Sequence, residues 1–232
     1  MNKQAAPYGS APGQYHRAVQ TIALALLALL ALLCAAPAVA ADRLVLALGD
    51  SLTAGYGLGP GQSFPARLEA GLRRAGIPAR VHNAGVSGDT TAAGRARLAW
   101  VLKGLRAKPD LAIVELGAND MLRGLPPAQA RANLDAILAE FKRRGIPVIL
   151  AGMRAAPNMG RGYIAEFEGI YPALARKYGA RLYPFFLDGV TGKRALILAD
   201  GLHPNARGVE EVTRRMLPIV RASLTARPQP RR

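Results

Sequence analysis

The sequence predicts an α/β fold in which one parallel β-sheet is covered by helices on both faces. Short apolar segments alternate along the chain with longer segments whose apolar residues recur at helical spacing. The short segments are almost continuously apolar, as strands buried on both faces of a parallel sheet are. No linker, internal repeat or low-complexity tract divides residues 42–226, which are therefore predicted to form one domain.

The first strand of this alternation is the short apolar run Arg43–Leu48. A helix over about Phe64–Ala75 follows, and Gly76 together with Pro78 ends it. Ala79–Asn83 is the second predicted strand. The chain thus begins with a strand, a helix and a second strand, as parallel sheets do.

The middle of the domain repeats the same order. A helix over Thr90–Leu105 begins at a capping side chain, either Asp89 or Thr90. Leu111–Leu116 is the third predicted strand. The next helix starts at Pro126-Pro127, a favoured place for proline, and continues with apolar residues at the spacing of one helix face.

The last part of the domain contains two more strands and two more helices. Ile146–Ala151 is the fourth predicted strand, and Arg181–Phe185 is a weaker fifth. Between them, Ile164–Leu174 carries the apolar face of a helix that ends near Gly179. A final amphipathic helix opens at Pro204. Parallel strands joined through helices imply right-handed crossovers.

Residues 1–40 have the three parts of a secretory signal peptide. A basic, acid-free start precedes the unbroken apolar run Ile22–Ala36, and Ala38-Val39-Ala40 fits a small-residue cleavage site. We predict cleavage after Ala40, export to the periplasm or the medium, and a mature domain of residues 41–226. An uncleaved anchor is the alternative, because Ile22–Ala41 is just long enough to span a bilayer.

Two compositional features concern the mature chain. The only cysteine, Cys34, leaves with the leader, so the domain cannot form an internal disulfide and must be stabilised by burial. Residues 227–232 consist only of Arg, Pro and Gln and are predicted to be a disordered tail.

The chain is strongly basic, but this charge does not by itself indicate a nucleic-acid partner. The leader holds two of the 31 basic residues and none of the 15 acidic ones, so the mature chain has a net charge of +14. Such a charge suits nucleic acid, but the basic residues are scattered, and several lie near predicted helix C-termini, where they offset the helix dipole. We predict no nucleic-acid partner and a weak association with anionic membrane surfaces. Nothing in the sequence indicates an oligomeric state.

Candidate functional residues follow three successive predicted strands. Ser51 follows the first strand, Gly88 the second and Asn119 the third. Ligands of open α/β sheets bind beyond the carboxyl ends of the strands, so these residues are predicted to share one crevice. Asp200 and His203 precede the last helix, which can return to the same edge.

Ser51 is the candidate nucleophile, because a turn directly after a strand lifts its hydroxyl out of the sheet. A serine hydroxyl is inert at neutral pH unless a base takes its proton and a third group orients that base. His203 and Asp200 can supply these two roles. Asp50 is predicted to be a structural hydrogen-bond acceptor, and His82, inside the second strand, a satisfied and partly buried imidazole.

A tetrahedral intermediate would also need hydrogen-bond donors for its oxyanion. The backbone N–H groups of Ser51 and Gly88 and the side-chain amide of Asn119 are the three candidates. Glycine turns and Asn-Asp pairs are common in loops, so each motif alone is weak evidence for an oxyanion hole. Their shared position after strands is what supports this interpretation.

Four segments in fixed order carry a family resemblance: Gly49–Tyr56 (GDSLTAGY), Ser87–Thr90 (SGDT), Val114–Asp120 (VELGAND) and Asp200–Asn205 (DGLHPN). Together they resemble the SGNH (GDSL) hydrolases, and specifically the exported thioesterase I, lysophospholipase L1 and arylesterase branch. The resemblance extends from about Leu44 to Leu224, essentially the whole mature domain.

The resemblance implies a three-layer α/β/α sandwich of flavodoxin-like topology with a five-stranded parallel sheet. It implies a serine esterase that cleaves aryl and alkyl esters, acyl thioesters and lysophospholipids through a Ser-His-Asp acyl-enzyme mechanism. Ser51 would be the nucleophile, His203 the base and Asp200 its orienter, with Ser51, Gly88 and Asn119 as the oxyanion hole. Neither a metal nor an organic cofactor is implied, and the partner is a small acyl substrate.

The resemblance also places an acyl-chain pocket, with one departure. The loop that contains Met121, Leu122 and Leu125 would help to cover the chain. After the arginine at position 154 the branch usually has an apolar residue and then two prolines before an asparagine, whereas Ala155-Ala156-Pro157-Asn158 keeps only the second proline. Ala155 and Pro157 are therefore predicted to form a smaller, less rigid wall, and the preferred chain length is left open.

Two other functions are left open by the residues. The same site could remove acetyl groups from a polysaccharide, although that needs a shallow polar groove where Met121, Leu122 and Leu125 predict an apolar one. A basic envelope-binding module on an inactive hydrolase scaffold is the non-enzymatic alternative, and the intact Ser51, Asp200 and His203 argue against it.

Overall fold

The computed structural model describes residue 20 and residues 42–226. The predicted signal peptide with its cleavage site and the predicted C-terminal tail lie outside the described residues. Within the described range the chain forms five strands, seven α-helices and two single 3₁₀ turns. No helix in this range is both long and apolar enough to cross a membrane.

Strands and helices alternate from one end of the described range to the other. The strands are β1 (Arg43–Gly49), β2 (Ala79–Gly85), β3 (Leu111–Glu115), β4 (Val148–Ala151) and β5 (Arg181–Tyr183). The helices are α1 (Ser51–Ala54), α2 (Phe64–Arg74), α3 (Thr91–Gly104), α4 (Ala118–Leu122), α5 (Pro127–Arg143), α6 (Arg161–Tyr178) and α7 (Ala206–Thr225). The 3₁₀ turns are Pro157–Met159 and Arg194–Leu196.

The five strands form one parallel sheet in the order β2-β1-β3-β4-β5. This is the flavodoxin-like order. After β2 is added on one side of β1, the later strands β3, β4 and β5 are added on the other side. The helices pack in two groups, α2 with α7 and α3 with α5 and α6, as right-handed crossovers on two faces require. The predicted α/β fold with a five-stranded parallel sheet is confirmed.

Burial along the strands follows their place in the sheet. The central strand β3 is buried along its whole length, and so is β1 from Val45 onward, whereas β2 and β5 at the edges are partly exposed. His82 lies on the edge strand β2 and is exposed, so the prediction of a partly buried imidazole is wrong. A strand at an edge has a neighbour on one side only, and its polar side chains reach solvent.

Several predicted element bounds differ from the structure, including the end of β2, which is Gly85, and the start of β4, which is Val148. The last helix begins at Ala206 instead of Pro204, because Pro204 pairs with Ile197 in an isolated antiparallel bridge. Asn205 then caps the helix by accepting a hydrogen bond from the Gly208 N–H at 3.1 Å. The fifth strand ends at Tyr183, two residues earlier than predicted.

Close backbone packing fixes the end of β2 against α1. A Cβ atom on Gly85 would collide with the backbone of Thr53 and Ala54, and β2 could not then lie this near the helix. Asn83 secures the same junction by donating from its side chain to the Ala54 carbonyl at 3.2 Å. Glycine at position 85 therefore sets how α1 sits on the sheet edge.

We expect Gly85→Ala to lower the free energy of unfolding by about 2 kcal/mol, because the added methyl group meets backbone that cannot move aside. Gly169→Ala is the matched control. Gly169 lies inside α6 with open space around its Cβ direction, so alanine there should stabilise the protein by about 0.5 kcal/mol. Urea unfolding of both variants measures the difference, and equal effects would show that the junction is not tightly packed.

Candidate active site

Three side chains that are far apart in the sequence form a continuous hydrogen-bond chain at the carboxyl edge of the sheet. The Ser51 Oγ atom lies 2.9 Å from His203 Nε2. His203 Nδ1 lies 2.7 Å from Asp200 Oδ2. The structure therefore brings together Ser51, His203 and Asp200, the residues that the sequence predicts as nucleophile, base and orienter.

The turn at the end of β1 presents the serine. Asp50 is the N-cap of α1, and its Oδ1 atom accepts a hydrogen bond from the Leu52 N–H at 3.0 Å. Ser51 is therefore the first helical residue, and its side chain is largely buried. The helix lasts a single turn because Gly55 follows with a left-handed backbone at φ 90°.

A tight turn on the approach to α7 presents the histidine. The Asp200 Oδ1 atom accepts hydrogen bonds from the N–H groups of Leu202 at 2.9 Å and His203 at 3.0 Å. The Leu198 N–H donates to the His203 carbonyl at 2.7 Å, next to the Ile197–Pro204 bridge. Asp200 therefore shapes the loop with one oxygen and holds the imidazole with the other.

Electrostatics fix which imidazole nitrogen carries the proton. The N–H groups of His203 and Leu202, followed by the His203 ring, lower the pKa of Asp200 to about 2. Asp200 is therefore a carboxylate at neutral pH and can only accept, so His203 Nδ1 must donate to it. The other nitrogen, Nε2, is then free to accept the hydrogen bond that the Ser51 hydroxyl donates.

The predicted oxyanion donors line the same cavity as Ser51. The backbone N–H groups of Ser51 and Gly88 donate to no atom of the described residues. Gly88 has φ 85°, a left-handed conformation that favours glycine. The Asn119 amide donates to the Asp89 carbonyl at 3.0 Å and to Asp50 Oδ2 at 3.2 Å, so it would have to exchange one of these bonds to reach an oxyanion.

Asp50 has the structural role that the sequence predicts. It is fully buried, and its two oxygens accept from α1 and from Asn119. Burial raises the pKa of Asp50 to about 6, while the Leu52 N–H, the nearby His203 and the Asn119 amide act in the opposite direction. No contact places Asp50 as a base for Ser51.

Arg97 is a positioning side chain that sequence reasoning missed. From α3 it reaches both Asp89 Oδ2 at 2.6 Å and the Gly49 carbonyl at 2.9 Å. It thereby ties the Gly88-Asp89 turn to the end of β1. An arginine in an amphipathic helix gives no sequence signal for this role, because such residues usually face solvent.

Tyr56 was also missed as a neighbour of the base. Its ring centroid lies 4.5 Å from that of His203, with the planes tilted by 37°. Tyr56 is half exposed and lines the cavity, so it covers one face of the imidazole at the entrance. The Gly-Tyr-Gly sequence around it predicts a turn but not its partner.

A cavity of about 830 Å³ opens from Ser51 and His203 between the loops that follow the strands. Four predicted substrate-binding residues, Met121, Leu122, Ala155 and Pro157, lie in its wall. Further apolar side chains in the wall were not predicted: Met153, Phe185, Leu187 and Ile197. The cavity is therefore mainly apolar and deep enough for a small acyl group or a longer chain.

Leu125 does not line this cavity, in contrast to the prediction. Its N–H donates to the Asp120 carbonyl at 2.9 Å, and its carbonyl accepts from the Tyr163 hydroxyl at 2.9 Å. These bonds close the turn after α4. In the range 42–226, no three His, Cys, Asp or Glu side chains gather in a group that could hold a metal ion.

Comparisons with known proteins agree with this geometry. The model of the GDSL-like lipase/acylhydrolase family matches residues 47–210. A Vibrio mimicus protein named arylesterase is 41% identical over 179 residues, which cover 77% of this chain and 88% of that protein. The Escherichia coli K12 protein named thioesterase 1/protease 1/lysophospholipase L1 is 40% identical over 168 residues, with 72% and 78% covered.

A solved structure is similar over the same range. The crystal structure of AlinE4, described as an esterase of the SGNH-hydrolase family, superposes with a TM-score of 0.68 at 58% identity. The match covers 80% of this chain and 98% of AlinE4. Sequence and structure comparisons therefore identify the same kind of relative.

We expect Arg97→Met to lower the free energy of unfolding by about 3 kcal/mol, because it leaves the Asp89 carboxylate buried without its cation. Both side chains are at least four-fifths buried, with exposures of 18% and 11%. Arg95→Met is the matched control on the same helix, where an exposed side chain bonds only Asn133 at 3.2 Å. Its effect should stay within about 0.5 kcal/mol in urea unfolding. Similar losses in both variants would contradict the positioning role.

Proposed function

Because the chain belongs to the GDSL-like lipase/acylhydrolase family, it is an esterase of small-molecule substrates, and we propose that Ser51, His203 and Asp200 perform the hydrolysis. The observation that carries this proposal is the unbroken hydrogen-bond chain from Ser51 Oγ through the imidazole to Asp200. A hydroxyl whose proton is already directed at a neutral imidazole nitrogen is ready to attack a carbonyl carbon.

The first step acylates the enzyme. As Ser51 Oγ attacks the acyl carbonyl carbon, its proton passes to His203 Nε2, and the carbonyl oxygen becomes an oxyanion. The imidazolium that forms lies against the Asp200 carboxylate, which stabilises it. When the tetrahedral intermediate collapses, His203 returns the proton to the departing alcohol or thiol, and the acyl group stays on Ser51.

The second step releases the acid. A water molecule takes the place of the leaving group, His203 accepts one of its protons, and the resulting hydroxide attacks the acyl-enzyme carbonyl. Collapse of the second tetrahedral intermediate breaks the bond to Ser51 Oγ, which recovers its proton from His203. The carboxylic acid leaves and the starting state is restored.

The oxyanion of both intermediates would be bound by the backbone N–H groups of Ser51 and Gly88 and by the Asn119 amide. The two N–H groups have no competing acceptor among the described residues, which supports this role. The longer of the two Asn119 bonds, to Asp50, is the one that the amide would exchange. One such donor contributes on the order of 3 kcal/mol of transition-state stabilisation.

We propose aryl and alkyl esters, acyl thioesters and lysophospholipids as the substrates. The Vibrio mimicus relative is named arylesterase, and the name of the Escherichia coli relative includes thioesterase and lysophospholipase. The largely apolar cavity beside Ser51 suits an acyl chain, and it argues against a polysaccharide, which would need polar walls. Ala156 stands where the branch usually has the first of its two prolines, so the wall on this side of the cavity is smaller and less rigid.

Export of the protein is proposed from its leader alone. The apolar run Ile22–Ala36 followed by Ala38-Val39-Ala40 supports cleavage after Ala40 and a location in the periplasm or the medium. An exported esterase would meet membrane lipids as potential substrates and as a surface.

We also propose that an anionic lipid surface docks at the mouth of the cavity. Among the described residues, five large hydrophobic side chains are exposed, and three of them line this cavity: Tyr56, Leu122 and Leu202. Arg154 lines the same opening, and Arg123 donates to the Gly88 carbonyl at 2.8 Å. Apolar side chains flanked by cations fit the interface of an anionic bilayer.

We expect Ser51→Ala to lower kcat for p-nitrophenyl butyrate by about 10⁴-fold or more while the unfolding transition is retained, because no other nucleophile faces His203. Ser223→Ala, on the outer part of α7, removes a hydroxyl that bonds only the Ile219 carbonyl and serves as the control. Substantial turnover by Ser51→Ala would exclude Ser51 as the nucleophile.

We expect the double variant Leu122→Ser/Leu202→Ser to bind phosphatidylglycerol vesicles at least about tenfold more weakly, since two apolar anchors are lost. Sedimentation with vesicles measures the bound fraction. Trp100→Ser, on α3, is the control, because its side chain is 77% exposed but does not line the cavity. A larger loss from Trp100→Ser, or equal binding to neutral phosphatidylcholine vesicles, would contradict docking at this mouth.

A further inference from the structure

Directly beneath the nucleophile turn lies a buried acidic side chain that the reaction described above does not use. Glu115 is the last residue of the central strand β3, and in the sheet register it lies beside Gly49 of β1 and Ala151 of β4. Its exposed fraction is 0%, and so is that of Asp50. An acidic residue in an otherwise apolar strand needs partners, because a buried unpaired charge is very costly.

The described residues satisfy only one of the two Glu115 oxygens. Oε2 accepts a hydrogen bond from the Thr53 hydroxyl at 2.7 Å. Oε1 is buried and has no donor, and no cation pairs with the carboxyl group. The neighbouring acidic group is Asp50, which directly follows Gly49, the residue beside Glu115 in β1, and each of the two carboxyl groups shifts the pKa of the other. Two carboxyl groups can bond to each other only if one of them keeps a proton.

We propose that Glu115 is a positioning residue, which as a neutral acid donates a hydrogen bond from Oε1 to the Asp50 carboxylate and so holds the Ser51 turn and Asn119 in place. This proposal rests on the proposed function for its catalytic consequence. It explains why the buried Glu115 Oε1 atom has no donor, because a protonated Oε1 is itself a donor and the Asp50 carboxylate is its acceptor.

The contacts decide which of the two groups keeps the proton. Asp50 accepts from the Leu52 N–H and the Asn119 amide and faces the His203 ring, all of which favour its charged form. Glu115 has the Thr53 hydroxyl as its one side-chain donor and the Asp50 N–H as a backbone donor, and no cation among the described residues faces it. Burial, followed by the neighbouring Asp50 charge, raises the pKa of Glu115 well above its usual value. The single proton therefore resides on Glu115.

The surrounding ionisable groups do not offer Glu115 another proton or cation. Asp120 at the start of α4 is occupied by the Thr91 N–H and hydroxyl, at 2.8 and 2.6 Å. Tyr171 from α6 donates to the Leu116 carbonyl at 3.0 Å, and burial raises its pKa well above 10. His203 approaches from the far side of Asp50. Neither α1 nor β4 presents a charged side chain to the Glu115 carboxyl.

Loss of the proton would affect the reaction through Asp50. A Glu115 anion would place a second negative charge beside Asp50, behind the position where the oxyanion develops. The two charges would repel, and Asp50 could no longer hold Leu52 and Asn119 in the same geometry. We therefore expect kcat to decrease at alkaline pH as Glu115 ionises, with little change in KM.

The test compares Glu115→Gln with Glu115→Ala. Glutamine reproduces the neutral acid, since its amide oxygen can accept from Thr53 and its NH₂ can donate to Asp50. Glu115→Ala should lower kcat by about 100-fold by displacing the turn, with a smaller effect on KM. Glu115→Gln should recover at least about tenfold of that loss and should no longer lose kcat at alkaline pH. Tyr171→Phe checks that the alkaline decrease does not come from the nearby phenol.

A second readout needs no substrate. Above pH 4.5, the ordinary pKa of the group, folded Glu115 keeps a proton that the unfolded chain releases. Stability of the wild type therefore falls as pH rises, until the raised pKa is reached, and its unfolding constant should grow by up to about tenfold per pH unit. Glu115→Gln should flatten this slope, whereas Glu210→Gln, an exposed control, should leave it unchanged.

An infrared spectrum of the wild type at neutral pH adds a third readout that does not depend on any variant folding. It should contain the carbonyl band of a protonated carboxylic acid. The proposal would be overturned if that band were absent. It would also be overturned if Glu115→Gln lost as much kcat as Glu115→Ala and kept the wild-type dependence of stability on pH. Turnover by Ser51→Ala would instead contradict the proposed function, and it would not affect the expected decrease of stability with rising pH.

Discussion

The site depends on the change from strand to helix within one residue at the end of β1. Asp50 alone separates the strand from α1, so the Ser51 side chain leaves the sheet edge instead of continuing along it. The turn is held because the buried Asp50 carboxylate accepts from α1 and from Asn119 in α4, the helix that follows the neighbouring strand β3. Glycine at position 49 is required as well, since a Cβ atom there would meet the Thr53 and Glu115 side chains. One buried acceptor therefore joins Ser51, the proposed nucleophile, to Asn119, a proposed oxyanion donor.

Different parts of the sheet edge supply the chemistry and the cavity. The ends of β1, β2 and β3 present Ser51, Gly88 and Asn119, and Arg97 ties the first two of these ends together. The loops after β4 and β5 supply the apolar wall, including Ala155, Pro157 and Phe185. Strand ends are fixed by the hydrogen bonds of the sheet, whereas loops tolerate substitution. This division lets the acyl pocket vary while the reacting groups keep their positions.

Features with a local cause were predicted closely. Thr90 caps α3 by accepting from Ala93, and α5 begins at Pro127, because capping and proline effects act within one helical turn. The start of α7 was misplaced because Pro204 is held by a bridge to Ile197, a contact with no signature in either segment. Leu125 was assigned to the cavity because the family resemblance placed its whole loop there, but its backbone bonds close a turn and Leu125 does not line the cavity.

The sequence by itself determined the reaction class, since four motifs in order specify a serine, a histidine, an aspartate and oxyanion donors at the ends of predicted strands. It also determined the parallel α/β sheet, whose strands and helices differ in the period of their apolar residues. Only the tertiary structure decided how these groups are supported: Tyr56 over His203, Arg97 across two strand ends, and Glu115 beneath Asp50. Those contacts join segments that are distant in the chain, and the hydrophobic period and capping signals of each segment carry no information about which other segment it will meet.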